Sequence, residues 1–285
     1  MYYVSCIYEN NYDINAIFRG SEMVTESSPI GVFDSGMGGI TVLKQLVNLM
    51  PNEKYIFYGD SANAPYGKKS SDTVRKLTMS TAAKLYEMGC KCLVVACNTA
   101  TSVAINVLRD TYRDIPVIGI EPALKPAVLA NEGGHILVLA TNTTLHEEKF
   151  NTLMNRYESK ARISTLAAPG IVEFVENGIT CGTQLEEYIA DILSPYQEDV
   201  PNAIVLGCTH FPFVADTIKK VIGNQVTLYD GGKGTAASTH NKLDEYLLSS
   251  REPSAGDTEI TFCNSDPDPA KTLLMKQFFD SYVCP

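Results

Sequence analysis

Two cysteines lie in closely similar sequence contexts. Cys97 follows the apolar run 93–96, and Cys208 follows the run 203–207. Such short apolar runs are typical of fully buried parallel strands, so each thiol is predicted where a strand ends and a helix begins. Open α/β sheets bind their ligands at that edge. A helix N-terminus lowers the pKa of a thiol, and a thiolate is both a base and a nucleophile. Two such thiols could therefore act on one substrate from opposite sides.

Apolar runs alternate with amphipathic stretches along most of the chain, and this alternation predicts parallel sheets. In the first series, strands are predicted at 30–34, 55–58, 92–96 and 117–120, and helices at 40–49, 71–88 and 99–109. In the second, strands are predicted at 136–140, 162–166 and 204–207, and helices at 145–157, 184–193 and 213–222. A further helical stretch is predicted after the strand 162–166, ending at residue 174. A helix at 234–248, a strand at 259–263 and a helix at 269–282 complete the chain.

The second series repeats the plan of the first. We therefore expect two pseudo-symmetric open parallel-sheet α/β domains, Rossmann-like or flavodoxin-like, with the active site in the cleft between them. The first domain is predicted to comprise residues 29–121 and 231–285, and the second residues 122–230. Residues 1–28 show no sustained hydrophobic period and are interpreted as a loosely ordered extension.

Composition narrows the class of protein. The chain has 285 residues, of which 45% are hydrophobic and 20% charged, as in ordinary globular proteins. Its formal net charge of -10, without a basic cluster, argues against nucleic-acid binding and favours a small-molecule partner. Eight cysteines are too few for a disulfide framework at this length, and no signal peptide or long apolar run is apparent. We expect a cytoplasmic protein with reduced thiols and no membrane association.

Four motifs resemble those of the glutamate racemases in the aspartate/glutamate racemase superfamily. They are Gly31-Val32-Phe33-Asp34-Ser35-Gly36-Met37-Gly38-Gly39, Tyr58-Gly59-Asp60 with Pro65-Tyr66-Gly67, Ala96-Cys97-Asn98-Thr99-Ala100, and Leu206-Gly207-Cys208-Thr209-His210-Phe211-Pro212. The resemblance covers about residues 29–285. It implies a cofactor-independent, two-domain isomerase that converts L-glutamate to D-glutamate for peptidoglycan and cell wall biosynthesis, commonly as a homodimer.

Inversion of an α-carbon suits two thiols. One group must remove a proton from one face while another delivers a proton to the opposite face. The resemblance implies that Cys97 takes the proton from D-glutamate and that Cys208 takes it from L-glutamate. It also implies that Asp34 assists Cys97 and lies near the substrate ammonium group, and that His210 assists Cys208.

The resemblance assigns substrate binding to a wider set of residues. These are Asp34, Ser35, Tyr66, Gly67, Asn98, Thr99, Thr209 and His210. Asp60 and Glu173 match further acidic positions, Glu173 through a weaker match at 169–173. No metal site is implied.

Three other functions fit parts of the pattern. A sister racemase acting on aspartate or another amino acid would share both thiols. Cys97, Cys208 and His210 could ligate zinc, although a fourth ligand is missing. A module that holds an anion in the cleft without chemistry would not use two positioned thiols. The glycines at 36–39 lack the Lys-Ser/Thr of a phosphate-binding loop, which disfavours nucleotide binding.

Overall fold

The computed structural model describes residues 24–250 and 258–284, so most of the predicted N-terminal extension lies outside the described residues. The strands are β1 (Ile30–Asp34), β2 (Tyr55–Gly59), β3 (Cys92–Val95), β4 (Val117–Gly119), β5 (His135–Ala140), β6 (Arg162–Ala167), β7 (Ala203–Leu206), β8 (Thr227–Asp230) and β9 (Ile260–Asn264). The helices are α1 (Ile40–Leu49), α2 (Ser71–Glu87), α3 (Asn98–Thr111), α4 (Leu124–Ala130), α5 (Asn142–His146), α6 (Glu148–Asn155), α7 (Pro169–Glu176), α8 (Thr183–Leu193), α9 (Ala215–Ile222), α10 (Gly232–Glu245) and α11 (Pro269–Ser281).

The strands form two separate parallel sheets. The first has the order β4-β3-β1-β2-β9, and the second has the order β6-β5-β7-β8. Every described strand pair is parallel. The predicted fold class, two parallel-sheet α/β domains, is confirmed. We call the domains the first and second lobe.

The central strands are buried because helices cover both faces of each sheet. All residues of β1, β3, β5 and β7 are buried, whereas the edge strands β6 and β8 are largely half-exposed. One hydrophobic cluster runs through both lobes, from Val32 and Val94 in the first sheet to Leu137 and Leu206 in the second. The two sheets therefore meet through a shared apolar core.

The chain passes between the lobes twice. It leaves the first lobe after β4 and enters α4, which packs on the second sheet, and it returns between β8 and α10, which packs on α1. A Cβ at Gly231 would collide with the backbone oxygen of Glu121, so the two crossings lie against each other. Strand β9 then pairs with β2 in the first sheet. The domain boundaries given above remain a prediction.

Several elements differ from those predicted. Helix α4 and strand β8 were not expected, and the predicted helix 145–157 is two helices separated at Glu147, whose backbone is extended (ψ 139°). The segment predicted as the start of helix 213–222 is a 3₁₀ turn, Phe211–Val214. Among the described helices, none has the length and apolar character needed to span a bilayer.

Candidate active site

Both cysteines lie at the cleft between the lobes and line one cavity. Cys97 caps the N-terminus of α3 directly after β3, and Cys208 follows β7 by one residue. The other lining residues are Ser35, Pro65, Tyr66, Gly67, Asn98, Thr99, Thr141, Val172, Gly207, Thr209 and His210. Both thiols are buried, and only about 10 Å³ of the cavity is open to the centre of a water molecule. That is room for about one water molecule.

The Cys97 thiol is held by groups of its own lobe. Its Sγ donates to the Ser35 hydroxyl at 3.6 Å and accepts the Ala100 N–H at 3.4 Å. Burial, with a further contribution from the Asp34 charge, raises the pKa of Cys97 to about 12, against the opposing effect of these hydrogen bonds. Burial thus outweighs the helix N-terminus that was expected to lower this pKa, and Cys97 is a thiol at neutral pH.

Asp34, at the end of β1, connects the two lobes. Its Oδ1 accepts the Gly36 N–H at 2.9 Å, and its Oδ2 accepts the Thr209 hydroxyl from the second lobe at 2.9 Å. Burial raises the pKa of Asp34, whereas the positive charge of His210 and these hydrogen bonds act to lower it. Asp34 is therefore a fully buried carboxyl group whose position depends on both lobes.

Cys208 has a different set of partners. Its Sγ lies 3.6 Å from His210 Nδ1, and His210 Nε2 lies 2.6 Å from Glu176 Oε1. The same Glu176 oxygen accepts the backbone N–H of Met37, across the cleft, at 2.7 Å. The row Cys208, His210 and Glu176 therefore lies in the second lobe, and its last member contacts the first lobe through Met37.

The electrostatics of this row favour a charged pair. Burial alone would lower the pKa of His210, but its hydrogen bonds to Cys208 and Glu176, and their negative charges, raise that pKa well above its ordinary value. Burial would raise the pKa of Glu176, but the hydrogen bond and charge of His210 and the Met37 N–H lower it. At neutral pH, His210 is an imidazolium and Glu176 a carboxylate, and the positive charge lies beside Cys208.

Glu176 is a residue beside the site that the sequence analysis did not predict. The predicted Glu173 is exposed on the same helix, α7, where it forms an ion pair with Lys68 at the rim of the cleft. The two glutamates are one helical turn apart, about 4.5 Å along the helix axis. Only Glu176 contacts His210.

The glycines at 36 and 38 allow the lobes to approach closely. A Cβ at Gly36 would collide with the Glu176 carboxylate, and one at Gly38 would lie 2.5 Å from Thr209 Oγ1 and closer still to His210 Nδ1. Thr41 also donates its hydroxyl across the cleft to the Thr209 carbonyl oxygen at 3.1 Å. Gly36 and Gly38 are therefore required by contact with the second lobe.

The turn Tyr66–Lys68 covers the cavity on another side. Tyr66 donates its hydroxyl to Asp60 Oδ2 at 2.6 Å, so buried Asp60 holds Tyr66 and does not itself line the cavity. Thr143 of the second lobe donates to the Gly67 carbonyl oxygen at 3.0 Å.

Polar groups at the start of α3 face the second lobe. The Thr99 and Thr141 hydroxyls lie 3.0 Å apart across the cleft. The side-chain oxygen of Asn98 is buried and has no hydrogen-bond partner within the described part of the chain. The sequence analysis did not predict Thr141 or Val172 as site residues. Thr141 lies in none of the motifs, and Val172 lies in the weaker match at 169–173 that pointed to Glu173.

The zinc hypothesis requires a set of donors that the site does not assemble. Among residues 24–250 and 258–284, no three His, Cys, Asp or Glu side chains come together in a way that could hold a metal ion.

A cleft between two parallel-sheet lobes, with one buried thiol from each lobe, is the arrangement expected of a two-base racemase. Residues 30–239 match the family described as Asp/Glu/hydantoin racemase. The chain belongs to this family.

Named relatives and solved structures agree with this family assignment. The chain is 44% identical over 259 residues to a glutamate racemase of Clostridium botulinum (strain Alaska E43 / Type E3), covering 91% of this chain and 100% of that protein. It is 51% identical over 224 residues to a glutamate racemase of Clostridium acetobutylicum, covering 79% and 87%. The crystal structure of the Francisella tularensis glutamate racemase in complex with D-glutamate is similar with a TM-score of 0.75 and 28% identity, covering 90% and 96%.

Proposed function

We propose that this protein interconverts L- and D-glutamate, with Cys97 and Cys208 as the two catalytic groups, and supplies D-glutamate for peptidoglycan synthesis. One observation carries the proposal: two buried thiols from opposite lobes line a single cavity. Glutamate is the substrate named for the relatives described above.

The protonation states give the direction of each step. When L-glutamate reacts, we assign Cys97 as the acid, because it carries its proton, and Cys208 as the base, because its Sγ lies 3.6 Å from Nδ1 of the His210 imidazolium. The Cys208 thiolate removes the α-proton of L-glutamate, and Cys97 delivers its own proton to the opposite face of the carbanion. D-glutamate leaves with Cys97 as thiolate and Cys208 as thiol, and the reverse reaction follows the same path.

The cavity offers a partner for each polar group of glutamate. The buried Asn98 oxygen, which lacks a partner among the described residues, can accept a hydrogen bond from the ammonium group. The hydroxyls of Thr99 and Thr141, and the N–H groups at the start of α3, can donate to the carboxylates. Thr209 lines the cavity and can offer its backbone N–H, because its hydroxyl is donated to Asp34. Ser35, Tyr66, Gly67 and His210 complete the proposed binding set. Asp60 acts through Tyr66.

The closed cavity has room for about one water molecule, so substrate can bind only after the lobes separate. The contacts that must then break include the exposed Lys68–Glu173 ion pair and the Thr143–Gly67 hydrogen bond. Glu173 is proposed to hold the rim closed through Lys68.

We infer that the protein works in the cytoplasm, as its composition suggests, and that it forms a homodimer, as the resemblance implies. Light scattering during size-exclusion chromatography tests the dimer. Aspartate, shorter by one methylene, should be turned over at least about tenfold less efficiently, since one methylene group contributes about 1 to 3 kcal/mol to discrimination.

The direct test is circular dichroism of L-glutamate incubated with the EDTA-dialysed protein and no added cofactor. We expect the signal to decay to zero as the racemate forms. The Cys97→Ala/Cys208→Ala double variant is the control and should leave the signal unchanged. Activity that appears only after pyridoxal phosphate or a metal is added would contradict the two-thiol mechanism.

A further inference from the structure

The C-terminal helix α11 belongs to the first lobe, yet it contacts the two second-lobe elements that hold the partners of Cys208. We propose that α11 positions the Cys208 side of the site, with Lys271 as the positioning residue for Glu176. This inference rests on the proposed function, because it assigns a role to the Cys208, His210 and Glu176 row.

Lys271 forms a hydrogen bond with the C-terminal end of α7. Its Nζ donates to the backbone oxygen of Glu176 at 3.1 Å, and Glu176 is the last residue of that helix. Carbonyl groups in the last turn of a helix lack partners within the helix, and a cation there is favourable. Lys271 therefore fixes the backbone of the residue whose carboxylate contacts His210.

A second contact fixes the turn that carries His210. Phe213 lies in the 3₁₀ turn Phe211–Val214, which begins directly after His210. Its ring stacks on Phe278 of α11, with centroids 4.7 Å apart, and meets Tyr282 edge-on at 5.1 Å. Aromatic pairs of this geometry contribute beyond the area they bury. Helix α11 thus contacts the helix that carries Glu176, through the Glu176 backbone oxygen, and the turn that directly follows His210, through Phe213.

Helix α11 is itself anchored in the first lobe. Lys44 on α1 donates to the Phe279 backbone oxygen at 2.9 Å, and Phe279 packs against Phe262 of β9 with centroids 5.8 Å apart. Met275 is fully buried. The helix can therefore carry the position of the first lobe to the second-lobe residues beside Cys208.

The charged groups that face Glu176 are His210 from the turn after β7, Asp34 from the end of β1, and Lys271 from α11. Without Lys271, one of the two cations beside Glu176 is lost. We expect the acid limb of the kcat/KM profile to move to higher pH, because Glu176 then takes up its proton more readily.

The experiment compares Lys271→Met with Lys271→Arg, Lys271→Gln and a control, Lys276→Met, on the same helix. For Lys271→Met we expect kcat to fall about tenfold with KM changed less than about threefold, because a hydrogen bond to a charged group is lost. Iodoacetamide labelling, read by peptide mass spectrometry, should slow by a similar factor at Cys208 but not at Cys97. Lys271→Arg should restore both rates, Lys271→Gln should restore them in part, and Lys276→Met should behave as wild type.

Wild-type kcat and wild-type Cys208 labelling in Lys271→Met would overturn the inference. So would a lower melting temperature with both rates unchanged, since Lys271 would then be only structural. If Lys271→Met does not fold, kcat and the rate of Cys208 labelling in Lys271→Gln decide whether Lys271 is a positioning residue. The labelling comparison uses no substrate, so it tests the role of Lys271 even if the wild-type protein fails to racemise glutamate.

Discussion

Thr209 of the second lobe donates its hydroxyl to Asp34 of the first lobe at 2.9 Å. The reciprocal contact runs from the Met37 N–H in the first lobe to Glu176 in the second, at 2.7 Å. The charge of Asp34 raises the pKa of Cys97 in the same lobe, and Glu176 contacts His210 beside Cys208. Each of these acidic residues accepts a hydrogen bond from the other lobe. Both thiols therefore reach their working environment only when the lobes are closed.

The Thr209 contact can be removed with little change of shape. Thr209→Val leaves the buried Asp34 carboxyl without one donor, which costs about 1.5 to 3 kcal/mol for a charged group, so kcat/KM should fall about 10- to 100-fold. Thr239→Val is the matched control, because it removes a buried hydroxyl that bonds only within α10. Steady-state kinetics decide the outcome, and equal effects of the two variants would refute the role of Thr209.

The two thiols should fail in different ways. Cys97→Ala and Cys208→Ala should each abolish racemisation, because either direction needs one base and one acid. In D₂O, residual exchange of the α-proton should be confined to D-glutamate for Cys208→Ala and to L-glutamate for Cys97→Ala, as followed by proton NMR. Exchange of both enantiomers by both variants would point to a single-base mechanism.

Two glutamates on one helix provide a matched pair. Glu176→Gln should lower kcat/KM about 100-fold, because it removes the charge that holds the His210 imidazolium beside Cys208. Glu173→Gln breaks only an exposed ion pair, worth less than about 1 kcal/mol, so kcat/KM should stay within about fivefold of wild type. The opposite ranking of the two variants would restore Glu173 as the site residue.

The His210–Glu176 pair should also give stability a defined pH window. The folded-state pKa of His210 is raised, so its contribution is complete below its ordinary value of 6.5 and is lost as the pH rises through the raised value. The folded-state pKa of Glu176 is lowered, so its contribution is complete above 4.5 and is lost as the pH falls through the lowered value.

The pair therefore stabilises fully between pH 4.5 and 6.5. Thermal melts of wild type and Glu176→Gln from pH 4 to 9 should differ most near pH 5.5, by about 5 °C, and less at the basic end. A difference that does not vary with pH would mean that the pair is not ionised as described.

Gly38→Ala tests the close approach of the lobes. The added Cβ would meet Thr209 Oγ1 at 2.5 Å and also His210 Nδ1, so we expect the lobes to close incompletely and kcat to fall more than about tenfold. Gly234→Ala is the control, because a Cβ there meets nothing within 4 Å and alanine favours the helix by about 1 kcal/mol. Small-angle scattering should show a more open Gly38→Ala protein with unchanged secondary structure.

The sequence predicts the elements that carry strong local signals. The apolar runs before Cys97 and Cys208 locate both thiols at strand ends, because a buried parallel strand needs apolar residues on both faces. Helix α4 was missed because Pro126 reads as a helix breaker, although proline is tolerated in the first turn, where the N–H needs no partner. Strand β8 was missed because it is a half-exposed edge strand with little apolar pattern.

Contacts across the cleft have no such signal. Glu173 and Glu176 occupy successive turns of one helix, and only the packing of α7 against the first lobe decides which one contacts His210. The burial that raises the pKa of Cys97 likewise arises from tertiary packing, so the expected effect of the helix N-terminus could not be weighed from sequence.

The two connections between the lobes, at Glu121 and Gly231, lie against each other and form a hinge. Two connections side by side resist twisting and sliding, so the easiest relative movement is rotation about the line on which they lie. The Lys68–Glu173 ion pair joins the two lobes at the rim of the cleft. A disulfide joining the lobes at the rim should prevent the cleft from opening, and so stop turnover, while leaving the catalytic residues in place. A disulfide beside the hinge should leave turnover unchanged.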